Sequence, residues 1–340
     1  MKLNLKSLRH LALAGFLSLA PSTVNAAKQI DHDPLAVIPI EIINNRILVS
    51  LPVGPYDVRL TLDTGASNTA LFQSRHEDFG DLSQRGNADI IFPALDEIVE
   101  GVTVEPVPIK LGNHNYIPSR LLTVGRRPPI GDRLNFKFDG VLGQDFFNQF
   151  VVEIDREVLE LRLYPAGTDL SDYFRTKLKL EMKGSAPYIK LHNKMPWEDY
   201  PRVKSLMLDT GYPGAMVLWG KKHFVLAAKG DDIDALRADN KGIFTTANFR
   251  VGTLRFYQTP IFVSPNQPMQ AQERDGIIGS NVIVWFHHVI DFPGKQLLLN
   301  TGRVHFNRMD GIYYLPNHEG FIVKRFTPKP VAGSIYVLGN

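Results

Sequence analysis

Short runs in which apolar and β-branched residues alternate with polar ones, each closed by Gly, Pro or Asn, dominate the chain. Such runs predict strands. They fall at Ile38 to Leu51, Val58 to Leu62, Val151 to Asp155, Val158 to Tyr164, Tyr188 to Leu191 and Ser205 to Leu208. Helical periodicity is sparse, with Gln144 to Phe150 and Asp231 to Ala238 the best short candidates. Gly320 to Phe326 reads as one more strand. The pattern predicts a mostly β protein.

The strand pattern occurs twice. Asp139-Gly-Val-Leu-Gly143 matches Asp275-Gly-Ile-Ile-Gly279 at an offset of 136 positions, and the same offset aligns Phe150 with Phe286 and Asp155 with Asp291. Upstream, Leu62-Asp63-Thr64-Gly65 matches Leu208-Asp209-Thr210-Gly211 at an offset of 146. An internal repeat of this kind sets the architecture before any single element does. It predicts two similar lobes, 27–165 and 185–302, joined by a polar connector at 166–184 and followed by a tail at 303–340 with no assigned role.

Residues 1–26 have the layout of a signal peptide. Lys2, Lys6 and Arg9 precede an apolar run from Leu11 to Ala20, Pro21 breaks it, and Val24-Asn25-Ala26 offers a cleavage site. The alternative is an uncleaved anchor, which the shortness of the run disfavours. Export, to the periplasm or beyond, is the expectation, with no stable membrane insertion after the signal is removed. The whole chain has 38 Lys+Arg against 35 Asp+Glu. Removal of the three basic residues of the leader leaves the mature chain balanced, which argues against nucleic-acid binding. With Cys 0, thiol catalysis, cysteine-bound zinc and disulfides are excluded.

A single Asp-Thr-Gly arises by chance in roughly one chain of this length in fifteen. Two copies in matching apolar frames, each followed by Asp-Gly-φ-φ-Gly (φ apolar), form a far more specific constellation. An apolar strand delivers each Asp to its end, and the Gly lets backbone approach the carboxylate. Two such loops meeting across a pseudo-two-fold axis would set the carboxylates about 3 Å apart. Like charges so close cannot both ionise, so the pair holds one proton. The ionised member can then activate a water while the protonated one donates to a carbonyl oxygen. Thr64 and Thr210 supply short donors able to tie the loops together. This chemistry needs neither metal nor cofactor.

On these residues the chain resembles the retropepsin/pepsin-type aspartic peptidases, and within them the bacterial retropepsin-like, single-chain group. The resemblance rests on Asp63, Thr64, Gly65 and Ala66, on Asp209, Thr210 and Gly211, and on Gly140, Gly143, Gly276 and Gly279 of the two ψ-shaped loops. It implies two β-barrel lobes related by a pseudo-two-fold axis, with the active-site cleft between them. Asp63 and Asp209 would be the catalytic pair, acting on an extended peptide or protein substrate. With both half-sites in one chain, a monomer is expected.

The second triplet departs from the family pattern. Ala66 follows the first and Tyr212-Pro213 follows the second, so neither loop offers the outer hydroxyl that many pepsin-like members use. Without such donors the dyad should be less acidic, giving an optimum from mildly acidic to near neutral. A bulky Tyr212 also keeps open a catalytically weak or inactive peptide-binding or inhibitor-like module, and export keeps open a non-protein amide substrate. Flap hairpins are expected around Ile90 to Val104 and Gly242 to Arg250, with Phe92 a candidate flap aromatic and Tyr116 placed late for that role. Asp139, Asp275, Asp155 and Asp291 read as turn formers. His287-His288 is a poor chelating pair because neighbours on a strand face opposite ways; Trp285 and Phe286 read as core. Arg126-Arg127 and Lys221-Lys222 read as solvated charge.

Overall fold

A computed structural model describes residues 32–73, 78–92, 97–125, 138–220, 237–238, 242–252, 254–265, 274–300, 311–317 and 320–326. The leader therefore lies outside the described residues, as do Arg126-Arg127 and Lys221-Lys222. So does most of the helix expected from Asp231; its end, Arg237–Ala238, is a short strand. The chain is mostly β.

The first lobe begins with β1 (Ala36–Ile43), β2 (Arg46–Val53) and β3 (Tyr56–Leu62), which run as an antiparallel meander into Asp63. The run expected to be continuous from Ile38 is split, because Asn44 and Asn45 adopt φ of 52° and 63°. Asn tolerates this left-handed region, and two such residues make a tight hairpin turn. There follow β4 (Thr69–Phe72), β5 (Gln84–Phe92), β6 (Glu97–Val104), β7 (Ile109–Leu111), β8 (His114–Tyr116), β9 (Leu121–Val124) and β10 (Gly140–Leu142). Helix α1 (Gln144–Phe147) leads to β11 (Phe150–Asp155) and β12 (Glu160–Pro165). The helix is shorter than expected, since Phe150 already belongs to β11.

The second lobe repeats the plan. It opens within the stretch expected as a connector, with β13 (Thr176–Lys179) and β14 (Glu181–Lys183), and goes on to β15 (Ala186–Asn193), β16 (Arg202–Asp209) and β17 (Met216–Trp219). Then come β18 (Arg237–Ala238), β19 (Gly242–Val251), β20 (Leu254–Ser264), β21 (Gly276–Gly279), α2 (Ser280–Ile283), β22 (His287–Asp291) and β23 (Gln296–Asn300). β24 (Gly311–Asn317) and β25 (Gly320–Phe326) form a separate hairpin.

The two ψ elements are inserted alike. β10 runs parallel to β3 and antiparallel to β4, and β21 runs parallel to β16 and antiparallel to β17. A Cβ on Gly140 or Gly276 would collide with the carbonyl oxygen of Ala70 or Val217, so only glycine lets these strands pass so closely. At their entry Asp139 and Asp275 tie down the neighbouring strands: Arg59 N donates to Asp139 Oδ2 at 3.0 Å and Ser205 N to Asp275 Oδ2 at 2.7 Å. Asp155 and Asp291 likewise accept from Glu157 N and Gly294 N.

The lobes share one sheet, in which β11 pairs antiparallel with β22. Glu153 faces Val289 in that register. These two residues are separated by the same offset as the two Asp-Gly-φ-φ-Gly elements, so the pseudo-two-fold axis passes between them. The principal core runs through both lobes, from Leu60 and Leu62 to Leu206 and Leu208, so the strands carrying the triplets are buried on that face.

One buried ion pair lies within the second lobe. Lys204 Nζ is 2.8 Å from Glu198 Oε2 and donates to Asn193 O at 3.0 Å; both side chains are almost fully buried. Lys204→Met strands a buried carboxylate, so it is expected to cost about 3–5 kcal/mol. Denaturant unfolding checks this, and a Glu198→Leu/Lys204→Met double variant should recover most of the loss.

Candidate active site

β3 and β16 end with Asp63 and Asp209 facing one another, and the two carboxyls are hydrogen-bonded to each other. Their loops are locked reciprocally. Thr64 Oγ1 donates to Leu208 O at 2.7 Å and accepts from Thr210 N at 3.0 Å. Thr210 Oγ1 donates to Leu62 O at 2.8 Å and accepts from Thr64 N at 3.0 Å. Both threonines are buried. Each hydroxyl thereby satisfies one acceptor and one donor of the opposite lobe.

Gly65 and Gly211 make the close approach possible. A Cβ on Gly65 would lie 2.6 Å from Asp209 Cγ, and one on Gly211 would lie closer still to Asp63 Cγ. Each lobe's glycine leaves room for the other lobe's carboxyl. Gln144, which the repeat does not reproduce, braces the first loop by donating from Nε2 to Thr64 O at 2.8 Å. Asn45, at the β1–β2 turn, reaches across the lobes to Pro213 O at 3.0 Å.

The two carboxyls are not equivalent. Asp63 Oδ1 accepts from Gly65 N at 2.9 Å and from Ala66 N at 3.1 Å, while Asp209 Oδ1 accepts from Tyr212 N at 3.0 Å. Burial raises both pKa values above the ordinary carboxylate range. For Asp63 the two N–H bonds and the nearby Arg46 charge work against that rise. Asp209 suffers desolvation and then the negative charge of Asp63, and is pushed up to about 8. The extra N–H bond and the Arg46 charge favour the negative charge on Asp63, and the charge of Asp63 favours the proton on Asp209.

Tyr212 turns back over its own loop. Cβ atoms built on Gly214 and Gly279 would lie 2.5 Å from its hydroxyl oxygen and 2.6 Å from its Cδ1, so the ring occupies the space between those glycines. It packs on the apolar face formed by Tyr188, Met207, Val217, Trp219, Phe262 and Ile277. The first lobe has a matching face with Leu48, Phe72, Phe138 and Val141, against which Ala66 packs.

Hairpins occur where flaps were expected. β5 pairs with β6 over Gln84 to Val104, and β19 pairs with β20 over Gly242 to Ser264. The side chain of Phe92 lies outside the described residues. Tyr116 is buried against Phe146 and Phe150, 5.6 and 5.8 Å away between ring centres, and so belongs to the first lobe's core. His287 and His288 face opposite ways. His287 Nε2 is 2.6 Å from Glu153 Oε1, whereas buried His288 uses Nδ1 on Phe286 O and has its pKa pushed down to about 4 by burial. Glu153, Asp155 and His287 gather ligand atoms within 4.8 Å of one another. The Arg162 guanidinium occupies that cluster, 3.0 Å from Glu153 and 3.4 Å from Asp155, and supplies its cation.

No protein-family model matches the sequence, and no curated protein matches it. Solved structures do. The aspartic proteinase from Irpex lacteus superposes with a TM-score of 0.51, covering 78% of this chain and 98% of its own at 16% identity. Basic 7S globulin from soybean gives a TM-score of 0.48 at 12% identity, over 79% of this chain and 95% of its own. The fold is pepsin-like. Within that pepsin-like fold, the paired aspartates stand at the junction of the lobes, where the two ψ elements meet.

Proposed function

We propose that this chain is an aspartic endopeptidase in which Asp63 and Asp209 activate one water between them. The observation that carries this reading is the reciprocal lock of Thr64 and Thr210 around a hydrogen-bonded pair of carboxyls. Such a lock fixes two buried carboxyls at close range, a costly arrangement that structure alone does not require.

In the proposed reaction Asp63 takes a proton from the water as its oxygen attacks the scissile carbonyl carbon. Asp209 gives its proton to the carbonyl oxygen. Collapse of the tetrahedral diol returns a hydroxyl proton to Asp209 and breaks the C–N bond, while the leaving amine takes the proton held by Asp63. The β5–β6 and β19–β20 hairpins are the proposed walls for a substrate bound as an extended strand. The single chain carrying both half-sites supports assignment to the retropepsin-like group and action as a monomer. The leader-like sequence at 1–26 supports export.

A binding module without turnover drew its support from Tyr212. With the ring lying between Gly214 and Gly279, that support is weakened. The test is cleavage of a diverse peptide pool, including cross-linked cell-wall peptides, beside Asp63→Asn and Asp209→Asn. Cleavage lost in both variants supports the dyad, and cleavage unchanged in either sinks it. The pH–rate profile should be bell-shaped, with its alkaline limb near pH 8 where Asp209 loses its proton. Maximal activity below about pH 3 would contradict the assignment.

A further inference from the structure

Two buried arginines flank the dyad, and the internal repeat accounts for neither. Arg46 opens β2; extending the β2–β3 register two positions past the Leu48–Thr61 pair sets it opposite Asp63. The same extension past Tyr188–Met207 in the second lobe sets Ala186 opposite Asp209. Arg274 directly precedes the second Asp-Gly-φ-φ-Gly element, where the first lobe has Phe138. Met207 and Asp209 lie on one face of β16, since side chains alternate along a strand. On that face Arg274 Nη1 is 2.7 Å from Met207 Sδ, and the guanidinium stands 4.9 Å from the centre of the Trp219 ring. Arg46 is 3% exposed and Arg274 6%. Each lobe thus brings one guanidinium to its own aspartate, but from non-equivalent positions.

We propose that Arg46 and Arg274 are positioning residues for the dyad, one for each carboxyl, whose charges keep one of the pair ionised in a buried site. The proposal rests on the peptidase reading for its kinetic consequences only. Burial drives both carboxyls toward the neutral form, and a dyad with two protons has no base. Arg46 acts on Asp63 and Arg274 on Asp209, each opposing that drive. The other polar groups facing the pair among the described residues are the N–H groups of Gly65, Ala66 and Tyr212, and Tyr188, which hydrogen-bonds Arg274. Asp139 and Asp275 are engaged further back along β3 and β16, at Arg59 N and Ser205 N. Arg46 and Arg274 are thus the positive charges that act on Asp63 and Asp209.

The test uses the full mature chain with Arg46→Met, Arg274→Met and the corresponding Lys variants. Two readouts are taken: the pH dependence of kcat and kcat/KM, and a carboxyl-carbon NMR titration that needs no turnover. Loss of a cation near a carboxyl raises its pKa by about one unit or more. Arg46→Met should raise the acid limb by that amount, Arg274→Met should raise the alkaline limb, and the Lys variants should stay near the parent. Unshifted limbs in the Met variants would overturn the proposal, as would Lys variants that shift as far as Met. A uniform fall in rate at every pH with unshifted limbs would show a merely structural role. If no peptide is cleaved, the peptidase reading fails and the NMR titration still decides this one. Should a Met variant not fold, Gln replaces it in the same comparison.

Discussion

Asp209→Asn is expected to abolish peptide cleavage and, at pH 7, to raise stability. Asparagine mimics the neutral carboxyl that Asp209 already carries near neutrality, but it cannot exchange a proton. Loss of the acid–base function alone should lower kcat by about 10²–10⁴-fold. The stability effect has a definite sign. The folded-state pKa of Asp209 is raised from the ordinary carboxylate range to about 8, so the folded state binds a proton that the unfolded state has lost. Folding is therefore opposed across the window from about pH 4 to about pH 8, with the penalty growing by about 1.4 kcal/mol per pH unit. Asparagine removes that penalty. The gain should reach a few kcal/mol at pH 7 and vanish below about pH 4, as urea unfolding at several pH values would show. A variant that is inactive yet gains no more over the parent at pH 7 than at pH 4 would contradict the burial of an unfavourable carboxyl pair.

The second large effect is expected at the lock. Thr210→Val keeps the shape of the side chain but leaves Leu62 O and Thr64 N without their bonds. Both groups are buried, and each orphaned group costs about 1–3 kcal/mol. Activity should fall further than stability, because a displacement of about 1 Å at a reacting group can cost about 100-fold in rate. Thr210→Ser restores the hydroxyl and should recover most of both losses. Thr64→Val is expected to behave the same way, through Leu208 O and Thr210 N. Urea unfolding and kcat measured on the same samples check the pair.

The parts of this protein that repeat were legible in its sequence. Both triplets and both Asp-Gly-φ-φ-Gly elements occupy matching places, because strand crossing at Gly140 and Gly276 tolerates no side chain. The break in the first expected strand was signalled by Asn44-Asn45, whose composition suits a tight turn, but the apolar residues on both sides masked it. Arg46 and Arg274 left no signal in the repeat. Their counterparts are Ala186 and Phe138, so an internal comparison discards them as differences between the halves. The placement of Tyr212 was hidden for a related reason. Its bulk was plain in the sequence, whereas the space left by Gly214 and Gly279 exists only once β21 has joined β16 and β17.

The lock also orders events in time. Its four hydrogen bonds join residues 144 to 148 positions apart, among the longest separations in the chain. Contacts so distant in sequence close late, after local hairpins have formed. A partly synthesised or unfolded chain holds two ordinary, solvated aspartates with no reason to share a proton. The paired carboxyls are thus absent from any state of the molecule in which the two lobes have not met.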